Sequence, residues 1–84
     1  MKLSGPVRAV LRVLGAARGR RLAVAHISAD ARVSPSSVRV ALAELGKARL
    51  VQHALAPGAD RQPPRMVYWL TSDGYAAAAD QRER

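Results

Sequence analysis

The sequence contains no cysteine, which excludes disulfides, thiolate metal sites and cysteine nucleophiles. Histidine is nearly as scarce. His26 and His53 are the two in the chain, too few for a metal site built from imidazoles alone. Long apolar runs are missing: nothing approaches the roughly 18–20 residues that span a bilayer. The opening "MKLSGPVRAVLRVLGAARGRR" carries a basic residue ahead of an apolar stretch. Arg8 and Arg12 interrupt that stretch at helical spacing, so it reads as an amphipathic helix and not a signal peptide. An intracellular, cytoplasmic protein without membrane contact is the expectation. The chemistry of an enzyme is also missing. There is no Ser/His/Asp set, no metal-ligand spacing, no phosphate loop and no carboxylate pair in an apolar setting, so no catalysis, metal or cofactor is expected.

What remains is positive charge. The 84 residues hold 14 Lys and Arg against 6 Asp and Glu, a net charge of +8, and the sequence pI is about 11.5. In a soluble domain that balance points to nucleic acid or another polyanion. Its distribution is uneven. Residues 1–21 carry +6 with no acid at all, residues 22–58 carry +2, and residues 59–84 balance to zero. The length implies one domain over residues 1–84, burying only about 60–65% of its unfolded surface. A thin core makes dimerisation a natural source of further stability.

Helical periodicity recurs along the chain. From Pro6 to about Arg18, the residues Val7, Val10, Leu11, Leu14 and Ala17 share one face. Pro6 suits the first turn and Gly19 the end. Leu22 reads as a short extended piece. Val24, Ile27 and Ala31 then predict a helix of about two turns, with Ser28 on the same face and Ala23, a poor cap, before it. "SPSSVRVALAELGKARLV" (34–51) follows. Ser34 caps, Pro35 fits the first helical position, and Val38, Ala41, Leu42 and Leu45 form a buried stripe. That leaves Ser36, Ser37, Arg39, Val40, Ala43 and Lys47 towards solvent or a ligand. "LVQHAL" (50–55) and "RMVYWLT" (65–71) flank the irregular "APGADRQPP" and predict a hairpin. Met66, Tyr68 and Leu70 are expected on one face, Val67 and Trp69 on the other. Trp69 is expected to cover the back of the hairpin against Val51 or His53. Thr71 caps a last helix, "SDGYAAAADQRER" (72–84), with Asp73 in its first turn.

The step from "HISADARV" through Ser34 into "SSVRVALAEL" is a helix-turn-helix. Here the sequence resembles the winged helix-turn-helix family of bacterial transcription regulators. The resemblance rests on "ISADARVSPSSVRVALAELGKARLV" (27–51) and "RMVYWLTSDGYAAA" (65–78), and covers roughly residues 5–80. The proline- and arginine-containing wing before Tyr68 looks most like the PadR and MarR branches. The implied fold is mainly α with a small β-hairpin (α+β): a three-helix core, a two-stranded wing and a C-terminal helix. Three departures stand out. Arg32 occupies the interhelix turn, and Arg49 the position before the first wing strand, where the family usually or often has Gly. The chain also stops soon after the fourth helix, so the resemblance bears on DNA binding rather than on ligand sensing, and no small-molecule effector is expected.

The implied function is sequence-specific binding of double-stranded DNA by a transcription regulator, a repressor, whose helix 35–48 reads the major groove while the wing 50–71 flanks it. Ser34, Pro35, Ser36 and Ser37 would stand at the helix start, where free amides attract phosphate. Arg39 is the one long donor on the exposed face, suited to guanine, and Val40 and Ala43 could meet thymine methyls. Lys47 would meet a backbone phosphate. Arg61 and Arg65 would take the wing tip to the minor groove or its flanking phosphates. Arg8, Arg12, Arg20 and Arg21 would extend the phosphate surface or point away from it. A homodimer is expected through Val7, Val10, Leu14, Tyr75, Ala78 and Ala79. Two other readings stay open: a partition, replication or nucleoid protein with weaker base discrimination, and a winged helix whose basic face meets an acidic protein.

Overall fold

The computed structural model describes residues 3–82. Its elements are α1 (Gly5–Ala16), β1 (Leu22–Ala23), α2 (Val24–Ala31), α3 (Pro35–Lys47), β2 (Val51–Ala56), β3 (Arg65–Leu70) and α4 (Ser72–Arg82). Helix order, hairpin and turn fall where the periodicity places them. The expected last helix extended to residue 84; Glu83 and Arg84 lie outside the described residues, as does Lys2 of the basic opening segment.

Local chemistry sets the boundaries. The Ser34 side chain accepts from the Ser37 amide at 3.3 Å, with Pro35 behind it at the start of α3. α2 begins on Ala23, which offers no side-chain cap. That residue is instead held by strand pairing, opposite Val67. At the other end of α2, the Ser28 hydroxyl donates to the Val33 carbonyl at 2.6 Å and pins the turn into α3.

The ends of α1, α2 and α3 share an unusual feature. Each is followed by an arginine in the left-handed region: Arg18 (φ 52°), Arg32 (φ 58°) and Arg49 (φ 60°). After α3 the Arg49 amide donates to Gly46 and the Leu50 amide to Leu45, at 3.0 and 2.9 Å, the paired bonds of a Schellman motif. Glycine is the usual occupant of this position, because a Cβ there crowds the next carbonyl. A cation beside the last carbonyls of a helix offsets part of that strain.

Leu22 and Ala23 form a third strand, so the wing grows from a three-stranded antiparallel sheet ordered β1-β3-β2, not from the two-stranded hairpin expected. β3 is therefore central, with Tyr68 opposite both Leu22 and His53. This corrects the expectation for Trp69. Its strand partner is Gln52, while Val51 and His53 stand opposite Leu70 and Tyr68 on the other face. The Arg21 guanidinium covers the Trp69 ring at 4.3 Å from its centroid.

The core lies around α1. Val10, Leu11 and Leu14 interlock with Ile27 of α2 and with Val38 and Leu45 of α3, all fully buried. α4 closes the other side. A Cβ on Gly15 would lie 3.1 Å from Ala78 Cβ, so the two helices touch at small residues. The same packing corrects the expected dimer surface. Val7, Val10, Leu14 and Ala78 retain 3%, 0%, 1% and 6% of their exposure within a single chain. They belong to the monomer core, where α1 packs against α2, α3 and α4 of the same chain. Tyr75 and Ala79 are half-buried.

Candidate nucleic-acid interface

α3 carries two outward stripes. One, with Ser36, Val40 and Glu44, borders a cleft of about 240 Å³ against Ser4 and Val7 at the start of α1. The other, with Arg39, Ala43 and Gly46, borders a groove of about 500 Å³ against the sheet. Val40 is 61% exposed. Pro35, Ser36, Arg39, Ala43 and Lys47 are exposed as well. His26 Nε2 and Asp30 Oδ2 lie 3.1 Å from each other, one turn apart on α2. Neither Arg39 nor Lys47 is engaged in an ion pair among the described residues, although Glu44 borders the same cleft as Lys47.

The serines at the helix start act on one another. Ser34 Oγ donates to Ser37 Oγ at 3.0 Å and lies 3.3 Å from Ser36 Oγ. Ser34 is committed to capping. Ser36 and Ser37 keep hydroxyl capacity to spare.

The wing tip turns through Asp60 (φ 55°), with the Gln62 amide donating to the Ala59 carbonyl at 3.0 Å. A Cβ on Gly58 would collide with the backbone of Gln62 and Pro63, so the tip needs glycine there. Arg61 is exposed at the tip. Arg65 is exposed too, but its Nη2 donates to Gln62 Oε1 at 3.0 Å. Strand alternation puts Arg65 with Val67 and Trp69, on the face away from Met66 and Tyr68. Of the two wing arginines, only Arg61 is unengaged.

Arg8 and Arg12 line a separate groove between α1 and α4, with Gly5, Ala9, Ala78 and Gln81. Much of the basic first segment therefore stands away from the outward stripes of α3. Three residues that composition and motif did not single out border the α3–sheet groove instead: His53, Met66 and Tyr68. Their signal is the alternation of "VQHAL" (51–55) and "RMVYWL" (65–70), legible once the hairpin register is known.

A helix-turn-helix followed by an antiparallel wing, with an open polar helix beside it, defines the winged helix-turn-helix fold. Comparison with solved structures gives the same result. The chain is similar to a MarR-family transcriptional regulator from Silicibacter pomeroyi, at 23% identity and TM-score 0.80 over 96% of this chain and 51% of that one. It is similar to Lactococcus lactis ZitR in complex with DNA, at 19% identity and TM-score 0.72, covering 99% of this chain and 53% of ZitR. A candidate DNA-binding protein from Ralstonia eutropha JMP134 is similar over almost its whole length: 26% identity, TM-score 0.76, 95% of this chain and 98% of that one. The chain thus spans about half the length of the ZitR and Silicibacter proteins. No family model and no curated protein matches the chain.

Proposed function

We propose that the chain binds double-stranded DNA as a transcription regulator, with α3 in the major groove and the wing along the flanking duplex. One observation carries the reading: the open face of α3 presents Arg39, Val40, Ala43 and Lys47, with no acidic partner for its two cations among the described residues. In this arrangement Arg39 reads a guanine edge, Val40 and Ala43 pack against thymine methyls, and Lys47 and the first-turn amides hold phosphates. Arg61 extends the contact from the wing tip. Regulation would follow by occupancy, as a repressor.

The protein would act as a homodimer. With Val7, Val10, Leu14 and Ala78 committed to the core, the dimer surface falls on the outer sides of α1 and α4, around Ala9, Tyr75 and Ala79. Two copies would set their recognition helices about 34–36 Å apart, one turn of duplex.

Selection of bound sequences from a random DNA library tests the whole reading. A palindrome with half-sites one turn apart is expected. Salt-dependent binding with no enriched sequence would instead favour a nucleoid- or partition-type protein. Absence of duplex binding at low salt would favour an acidic protein partner.

A further inference from the structure

The groove between α3 and the sheet is lined by Arg39, Ala43, Gly46, His53, Met66 and Tyr68. It is continuous with the open face of α3, because Arg39 and Ala43 belong to both. If α3 lies in the major groove and the wing reaches the neighbouring minor groove, the sugar–phosphate strand dividing those grooves must run between helix and sheet. This groove is the passage between them. Among apolar walls that also include Leu42 and Val51, its polar groups are a guanidinium on one side and, on the other, an imidazole beside a phenol, with ring centroids 6.1 Å apart.

We propose that this groove seats one phosphodiester strand of the duplex and that His53 contacts it as the imidazolium, so that DNA binding takes up a proton from water. The proposal rests on the DNA-binding reading above. His53 is exposed and so can reach a phosphate. The groups facing it are Arg39 from α3 and Tyr68 from β3; no carboxylate lines the groove among the described residues. Glu44 and Lys47 open instead to the α1 side of α3. A bound phosphate would bring an anion to a groove whose described lining holds none, and an opposite charge nearby favours the charged form of a titratable group. Histidine is the side chain whose ordinary range crosses neutrality. The sign follows: the complex holds the proton more tightly than the free protein, so affinity rises as pH falls and levels off once the free protein is protonated too.

A phosphate contact does not depend on base sequence, so the probe is a mixed-sequence duplex of about two helical turns. Its affinity is measured at fixed ionic strength between about pH 5.5 and 8. The wild-type protein should bind more tightly at the acid end by up to about ten-fold, the effect of a one-unit difference in proton affinity. His53→Gln should bind as the wild type does at the alkaline end and lose the pH dependence. His53→Lys, charged throughout, should bind tightly at both ends. His26→Gln, which removes the other imidazole, should leave the dependence intact. A wild type without pH dependence overturns the proposal. So does a dependence that survives His53→Gln or vanishes in His26→Gln. No binding of any duplex at either pH removes the DNA reading itself, and this proposal with it.

Discussion

The Thr71 hydroxyl donates to the Arg49 carbonyl at 2.9 Å and, from the same oxygen, accepts the Gly74 amide at 3.0 Å. One side chain thus caps α4 and ties it to the residue closing α3, across 22 positions of sequence. The Thr71 amide donates to Leu50 at 3.0 Å beside it. Gly74 completes the joint, because a Cβ there would collide with the Leu50 carbonyl oxygen. This is the physical content of the "LTSDG" segment: it docks the last helix where α3 hands over to the wing.

Thr71→Val keeps the branched shape and removes the hydroxyl. It should cost about 1–2 kcal/mol, the usual loss for a helix cap. Gly74→Ala should cost about 1–3 kcal/mol through overpacking. Denaturant unfolding measures both, and a Thr71→Val protein as stable as the parent would mean that water replaces the joint.

The left-handed arginines make the opposite prediction. Arg32→Gly and Arg49→Gly relieve a backbone strain of roughly 1–2 kcal/mol each, against the loss of a favourable cation at the helix end and a larger entropy loss on folding. The balance should raise stability by a few tenths to about 1 kcal/mol per site. Thermal unfolding that shows both variants less stable would mean that the arginine side chains hold contacts worth more than the strain.

Much of the fold was legible because helical periodicity and caps are local. Pro6, Ser34 and the Val38–Leu45 stripe mark helices without reference to the rest of the chain. The resemblance to the winged helix-turn-helix family, not local pattern, marks Arg32 and Arg49 as occupants of glycine positions. Non-local pairing was less accessible. Leu22 reads as a short extended piece and Ala23 as a poor cap, yet nothing in two residues says that they pair with Tyr68 and Val67. The long tip hides the hairpin register, which sets Trp69 opposite Gln52 and not against Val51 or His53. The dimer surface failed for a related reason: apolar periodicity on α1 shows that a face is buried and does not say by what. Only the contact of Gly15 with Ala78 shows that α4 of the same chain helps to cover it.

Trp69 is the single tryptophan in the chain, and Arg21 lies over its ring. Arg21→Ala should uncover the indole, shift its emission to longer wavelength and lower stability by about 0.5–1 kcal/mol. Unchanged emission would show that the sheet alone shields the ring.

The last prediction separates reading from holding on α3. Arg39 and Lys47 carry the same charge on the same helix, one in the middle and one in the last turn. A guanidinium at the floor of the major groove makes two directed bonds to guanine, worth roughly 1–3 kcal/mol of discrimination against the wrong base. An ammonium near the helix end meets a phosphate, which is the same at every step of the duplex. Arg39→Ala should therefore weaken binding to a selected target more than to random DNA, narrowing their ratio by about five-fold to a hundred-fold. Lys47→Ala should weaken both alike and reduce the slope of log affinity against log salt by about one ion. Titrations of both variants on both duplexes, each at several salt concentrations, measure the two quantities together. Equal losses on target and random DNA for Arg39→Ala would remove it from base reading and leave it, like Lys47, a phosphate contact.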